Sequence, residues 1–164
     1  MLNYLSSELR GLKKLKILDL NLLNSFGENN VFHDPNASVL KFKPPKFLVS
    51  FRINFEGDPF NEKLLSEFTS NVQQCHKLQH LNLRFIDKLD NIKLSEALIW
   101  ACFFKNLQNL KTLTFKRDFF SSEEFEGNQA FLEGFQHLKN LEVLKLSLVS
   151  CMSESPPIIF TCLL

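Results

Sequence analysis

The clearest copy of a pattern that recurs along this chain is Leu138-Lys-Asn-Leu-Glu-Val-Leu-Lys-Leu-Ser-Leu148. Its first apolar residues are three apart, as where a helix ends in a turn. Its last three are two apart, as on one face of a strand. A period that changes from three to two predicts a helix end that leads directly into a strand.

Four further stretches repeat this pattern, and they begin at Leu12, Pro45, Cys75 and Leu107. Aligning the copies, of which the one at Pro45 is the weakest, gives one set of equivalent residues at intervals of 30 to 33: Leu18, Phe51, Leu81, Leu113 and Leu144. Such a period is typical of solenoids, because one strand and one helix cannot bury their apolar face alone, whereas stacked neighbours can. We therefore expect an α/β protein with five parallel strands side by side.

The chain resembles leucine-rich repeat proteins of the ribonuclease-inhibitor-like form, whose repeats are long, about 30 residues. The resemblance covers roughly residues 4–150 and rests on L-x-x-L-x-L pieces at Leu15/Leu18/Leu20, Leu78/Leu81/Leu83, Leu110/Leu113/Phe115 and Leu141/Leu144/Leu146. It implies a partial horseshoe with parallel strands on the concave face and helices on the convex face. The Asn or Cys that family repeats carry three residues later is replaced here by Leu23, Glu56, Ile86, Asp118 and Val149. The family's asparagine ladder is therefore not expected.

The resemblance divides the chain into a leucine-rich repeat domain of about five repeats at 1–150 and a C-terminal tail at 151–164. Neither end carries the polar capping repeat that a solenoid needs for solubility. The favoured interpretation is a fragment of a longer array. The alternative is that the terminal segments fold over the open ends of the solenoid.

The helices between the strands are predicted from their apolar spacing. Turn and breaker residues between Asn24 and Pro45 predict a loop in the second repeat, with a short extended piece at 39–42. In the third repeat Asn61 caps a helix whose inward residues are Leu64, Phe68, Val72 and Cys75. The inward residues of the fourth are Leu94, Leu98, Ala101 and Phe103 or Phe104, with Trp100 near the edge of that face.

The fifth repeat offers two helix starts, a capping box at Ser121 and a later start at Asn128. The later start is preferred because Gly127 and Asn128 would interrupt one long helix. The residues predicted to face inward are Phe131, Phe135 and Leu138.

Composition narrows the class of protein. The 164 residues are 45% hydrophobic and 23% charged, as in a globular domain, and the net charge of +1 argues against a protein that chiefly binds polyanions. The four cysteines form no C-x-x-C pair or zinc spacing, no signal peptide opens the chain, and the longest apolar run has eight residues, against ~20 needed to span a bilayer. We expect an intracellular, cytoplasmic protein with no membrane segment and with reduced, buried thiols.

Strand alternation places the residues between the buried leucines on the concave face. The candidate partner-binding residues on this face are Arg52, Asn54, Asn82, Arg84, Thr114, Lys116 and Lys145. The four cations among them are opposed by Asp19 alone, which predicts a mildly basic surface for an acidic protein partner. The plain alternative is a solvated sheet face whose Lys and Arg keep the strands soluble.

No motif predicts catalysis, a cofactor or a small-molecule substrate, since nucleophile elbows, Gly-rich phosphate loops and kinase motifs are missing. Cys75, His76 and His80 straddle a predicted turn, so a metal site is not expected. We expect a non-catalytic protein–protein interaction module. The alternative is a recognition or regulatory segment of a larger enzyme, such as a kinase or ligase subunit, whose catalytic part lies outside this chain. A nucleic-acid binder using the four cations is a third hypothesis, which the net charge disfavours.

Overall fold

The described part of the chain contains one six-stranded sheet with three helices. The computed structural model describes residues 8–9, 11–22, 42–56, 62–86, 94–118, 125–149 and 158–163. The strands, in sheet order, are β1 Ile17–Leu22, β2 Ser50–Glu56, β3 His80–Ile86, β4 Thr112–Asp118, β5 Val143–Val149 and β6 Ile158–Leu163. The helices are α1 Glu62–Gln73, α2 Leu94–Lys105 and α3 Phe125–Phe135, and they connect β2 to β5 in turn.

The register of the sheet follows the repeat alignment. Strands β1 to β5 are parallel, and the five aligned residues are direct partners across them: Leu18, Phe51, Leu81, Leu113 and Leu144. The predicted α/β class and the five parallel strands are therefore confirmed. Strand β6 pairs antiparallel with β5, and it comes from the segment 151–164 set apart as a tail.

The same turn precedes each of the five parallel strands. In each copy the N–H three residues before the aligned position donates to the carbonyl three residues earlier: Leu15 to Leu12, Leu48 to Pro45, Leu78 to Cys75, Leu110 to Leu107 and Leu141 to Leu138, at 2.9–3.2 Å. The bond needs only a carbonyl from the first residue, so proline serves at 45 although it has no N–H. The weakest copy in the sequence therefore forms the same turn.

A forked hydrogen bond fixes the start of each strand against the one before it. One carbonyl accepts two successive N–H groups of the next repeat: Lys16 from Val49 and Ser50, Val49 from Gln79 and His80, Gln79 from Lys111 and Thr112, Lys111 from Glu142 and Val143, at 2.8–3.0 Å. Because the fork recurs at all four junctions of the parallel strands, neighbouring strands start in step. This keeps the aligned leucines in register.

All three helices pack on one side of the sheet. Phe68 of α1 contacts Phe85 of β3 at 6.4 Å between ring centroids, and Trp100 of α2 and Phe131 of α3 contact Phe115 of β4 at 5.0 Å and 5.3 Å. Phe85 and Phe115 have the same strand phase, so the helices share one face. The core is this aromatic layer together with the buried leucines of the strands.

The orientation of α2 differs from the prediction. Trp100, placed near the edge, is fully buried, whereas Leu98, placed inward, is 52% exposed. The buried apolar residues of α2 are Ala97, Trp100, Phe103 and Phe104, and the side chain of Leu94 lies outside the described residues. The cause is that α2 is apolar on nearly every side, so its spacing defines no single face, and burying the largest rings removes the most apolar area from water.

The other helices agree with the prediction in part. Phe68, Val72 and Cys75 are buried as predicted, together with Leu65, whereas Asn61 and the side chain of Leu64 lie outside the described residues.

Helix α3 begins at Phe125 and runs through Gly127 and Asn128, so the preferred start at Asn128 is wrong. A glycine costs a helix only about 1 kcal/mol, so one glycine does not have to end it. Phe131 and Leu138 are buried as predicted, and Phe135 is partly buried.

The second repeat is described only from Phe42 onward. Phe42 is buried and stacks on Phe51 at 6.1 Å, and its carbonyl accepts a hydrogen bond from Asn71 Nδ2 at 3.3 Å. Residues 42–49 form neither helix nor strand. Most of the predicted loop, and all but one residue of the predicted extended piece at 39–42, lie outside the described residues.

Gly134 of α3 lies close against the backbone of α2. A Cβ at this position would lie 2.7 Å from the Cα of Ala101 and 3.0 Å from its carbonyl oxygen. Gly134→Ala gains about 1 kcal/mol of helix propensity, but a clash with backbone costs about 1–3 kcal/mol. We expect the cost of the clash to exceed the gain in helix propensity, so urea denaturation should give a lower free energy of unfolding for Gly134→Ala than for the wild type. Gln129→Ala, on the exposed side of α3, is the control and should change it little; a stabilised Gly134→Ala would show that the helices are further apart.

Candidate functional site

The side of the sheet turned away from the helices, here called the open face, carries all seven residues predicted to bind a partner. On this side Arg52 and Lys145 are exposed, and the other five are half-buried: Asn54, Asn82, Arg84, Thr114 and Lys116. The strand residues between them are buried under the helices, as the alternation requires. The sequence-based assignment of these residues to one surface therefore agrees with the structure.

Two neighbouring rows of the open face hold the charged residues. In the first row the register partners across β1 to β5 are Asp19, Arg52, Asn82, Thr114 and Lys145. In the second they are Asn21, Asn54, Arg84, Lys116 and Ser147. Each of the strands β2 to β5 thus contributes one cation to these rows. We call Arg52, Arg84, Lys116 and Lys145 the cationic arch, because the inner two stand one row above the outer two.

Within the described part of the chain, the charges of the arch are balanced only at the β2 end. Arg52 Nη1 donates to Asp19 Oδ2 at 3.1 Å, and both side chains are about half exposed, so this ion pair contributes little stability. Arg84, Lys116 and Lys145 form no ion pair with any residue that the structure describes. The Nε of Arg84 is shielded from solvent and has no hydrogen-bond partner among the residues with described positions. Among the described residues, positive charge without an ion-pair partner is therefore concentrated over β3 to β5.

A groove of about 440 Å³ lies at the amino ends of the strands, below the open face. Its lining residues are Val49, His76, Lys77, Gln79, Asn109, Lys111, Asn140 and Glu142. Lys111 Nζ and Glu142 Oε1 form an ion pair at 3.0 Å across it.

Two asparagines of this groove stabilise the turns. Asn109 Nδ2 donates to the carbonyl of His76 at 2.9 Å, and Asn140 Nδ2 donates to the carbonyl of Gln108 at 2.7 Å. Both stand four residues before their aligned leucine. Asparagines with this role were expected only three residues beyond the leucine-rich pieces, so these two were not predicted. Their shared place in the repeat was the available signal.

The cysteines and histidines whose side chains are described form no reactive cluster. Burial raises the pKa of the Cys75 thiol to about 12, and its Sγ donates to the carbonyl of Pro45 at 3.4 Å, so this thiol is protonated at neutral pH. Cys102 is exposed, so the expectation of buried thiols is wrong there, because it follows Leu98 on the outer side of α2. His76 lines the groove and His80 lies on the open face. Among the residues with described positions, no three His, Cys, Asp or Glu side chains could hold a metal ion.

Comparisons with protein-family models, with curated proteins and with solved structures give no match to this chain. Within the described ranges, no helix has both the length and the apolar character needed to cross a membrane. The open face carries three cations without an ion-pair partner in the part of the chain that the structure describes, and it is therefore the strongest candidate for a functional surface.

Proposed function

We propose that this chain is a leucine-rich-repeat solenoid of the ribonuclease-inhibitor-like form. The proposal is supported by the hydrogen-bonded turn found in all five copies and by the forked bond at all four junctions. A structure in which each repeat contacts chiefly its neighbours is the general property of solenoids. The packing fits it, since α1 contacts α2 and α2 contacts α3.

The function that fits this surface best is that of a non-catalytic module that binds an acidic surface of another protein on the open face. The observation that carries it is the set of three cations, Arg84, Lys116 and Lys145, without an ion-pair partner among the described residues. Such a field steers an acidic partner to the surface and disfavours a basic one. The amides and hydroxyls beside the cations supply hydrogen bonds to the partner, as in the polar parts of interfaces.

Charge reversal on the open face tests this function. Arg84→Glu combined with Lys116→Glu should abolish retention of the partner, because two attractive charges become repulsive. The free energy of unfolding should change by less than about 1 kcal/mol, since neither residue belongs to the core. The measurement compares proteins captured from a lysate by the wild type and by this variant, with thermal melting of both.

A matched control separates the open face from net charge. Lys63→Glu combined with Lys139→Glu makes the same change in charge at two exposed residues, one on α1 and one in the turn before β5. The proposed partner is retained by the wild type and by this control, and is lost with the open-face variant. Equal losses with both variants would contradict docking at this surface. A collapse in melting temperature for the open-face variant alone would mean that Arg84 or Lys116 packs in the core.

A further inference from the structure

The cationic arch takes one side chain from each of four adjacent strands, so the distance between neighbouring cations across the sheet equals the distance between neighbouring strands. Neighbouring strands lie about 4.8 Å apart, so β2 and β5 are separated by about 14 Å. The inner cations, Arg84 and Lys116, are direct register partners, and Arg52 and Lys145 lie two residues lower, about 7 Å along the strands. A partner that pairs with every cation must present one acidic group per strand.

An α-helix laid across the strands meets this requirement. Its pitch is 5.4 Å, so three turns advance about 16 Å while three strand spacings advance about 14 Å. The difference of about 2 Å over the whole arch lies within the reach of flexible Lys and Arg side chains. The offset of about 7 Å between the inner and outer cations is narrower than a helix with its side chains, about 10–12 Å across.

An extended segment laid in the same direction cannot present one acidic group to each strand. Side chains on one face of a strand recur about every 6.7 Å, so three steps advance about 20 Å and overshoot the arch by about 6 Å. From its second acidic group onward such a segment falls out of step with the strands. The spacing therefore favours a helix over an extended chain.

The neighbours of the cations leave room for a helix. Asn82 and Thr114 lie between Arg52 and Lys145, and Asn54 and Ser147 flank Arg84 and Lys116. All four are short and half-buried. A helix can therefore lie on these short polar side chains, with its acidic side chains toward the cations.

We propose that the partner presents an acidic α-helix that lies across β2 to β5 on the open face, an inference that rests on the docking function proposed above. Its carboxylates recur once per turn along one side, at positions such as i, i+4, i+7 and i+11. The carboxylates over β3, β4 and β5 provide most of the binding, because Arg52 is already paired with Asp19 at 3.1 Å.

Synthetic peptides of about eighteen residues test the inference against the full chain. The first is an alanine-rich helix with four glutamates at i, i+4, i+7 and i+11, end-capped and fluorescently labelled. The second has the same composition with the glutamates distributed around the helix. The third keeps the order of the first but carries prolines that prevent a helix. Fluorescence anisotropy at low and at physiological salt gives the three dissociation constants.

The first peptide is expected to bind at least about tenfold more tightly than the other two, since it alone places one carboxylate over each cation. The combined Arg84→Glu and Lys116→Glu variant should reduce its affinity to that of the second peptide. The combined Lys63→Glu and Lys139→Glu control should leave the tenfold preference unchanged. Truncating the glutamate over Arg52 to alanine should weaken binding less than truncating one over β3 or β4.

The remaining outcomes separate this inference from the docking function. If the proline peptide binds equally or more tightly, and this binding is lost on reversal of Arg84 and Lys116, the helix is overturned and docking of an acidic partner on the open face remains. If charge reversal at Arg84 and Lys116 leaves the peptide affinities unchanged, both the helix inference and the docking function are overturned. A double-stranded oligonucleotide that binds more tightly than any peptide, with a steep loss of affinity as salt rises, overturns both in favour of a nucleic-acid surface; we expect it to bind weakly or not at all.

Discussion

Replacing Trp100 with alanine is expected to lower the free energy of unfolding by about 3–5 kcal/mol, a large part of the stability of a domain of this size. Trp100 is fully buried, and its indole ring lies 5.0–5.9 Å, between centroids, from the rings of Phe85, Phe103, Phe104 and Phe115. Removing the indole leaves a cavity between α2 and the sheet. The four surrounding rings are too large to move in and fill it completely. Urea denaturation followed by circular dichroism measures the loss, because the variant has no tryptophan left to fluoresce.

Two companion variants show whether the effect comes from packing. The Nε1 of Trp100 is buried without a hydrogen-bond partner within the described ranges, and an unsatisfied buried donor costs about 1–3 kcal/mol. Trp100→Phe removes this donor and retains a ring, so it should cost less than half as much as Trp100→Ala. Leu98→Ala should cost little, because Leu98 is 52% exposed. The opposite ranking, with Leu98→Ala the more damaging, would mean that α2 is rotated to the orientation suggested by its sequence spacing.

The contrast between β3 and α2 explains which parts of the fold were predictable. In β3 the polar residues Asn82 and Arg84 alternate with buried Leu81, Leu83 and Phe85, so only one orientation of the strand buries the apolar set. In α2 apolar residues occur on nearly every side, and several rotations would bury similar areas. The neighbours decide between them: Phe85 of β3 and Phe115 of β4 border one site, which Trp100 fills. That information lies in two other elements and not in the local pattern.

In the candidate site, too, some features follow from the local sequence pattern and others depend on neighbouring elements. The positions of Arg84 and Lys116 on the open face follow from alternation alone and were predictable. The bonds of Asn109 and Asn140 to the preceding turn depend on the stacking of repeats, which brings residues 32–33 apart in sequence within 2.7–2.9 Å. Strand β6 has no counterpart in the repeat, and its antiparallel pairing with β5 had no signal in the periodicity.

The forked hydrogen bonds link the core to the proposed docking surface. They set the start of each strand, and the start of a strand sets both which residues are buried and which row each cation occupies. A slip of one residue in β4 would turn Lys116 toward the helices and Phe115 toward solvent. The apolar layer therefore holds the arch in register, since burial of one large side chain contributes about 1.5–3 kcal/mol, more than an exposed ion pair.

Leu81→Ala is expected to lower the free energy of unfolding by about 2–5 kcal/mol. Leu81 is 1% exposed and lies in β3, between its partners Phe51 of β2 and Leu113 of β4. A cavity here is enclosed by two strands and the helix layer, so the surrounding side chains can relax only partly. Urea denaturation, monitored by the fluorescence of Trp100, gives the loss of stability.

The equivalent residue in β1, the first strand of the described sheet, provides a comparison for this prediction. Leu18 is the register partner of Phe51 on the outer side of β2, and it is 9% exposed. Leu18→Ala should cost less than Leu81→Ala, because the described residues provide a parallel neighbour for β1 on one side only and a cavity there is more easily filled. Ile17→Ala, at a residue that is 68% exposed, should change stability least. Equal losses at Leu81 and Ile17 would contradict the alternation that places Arg84 and Lys116 on the open face, because both assignments depend on the same strand register.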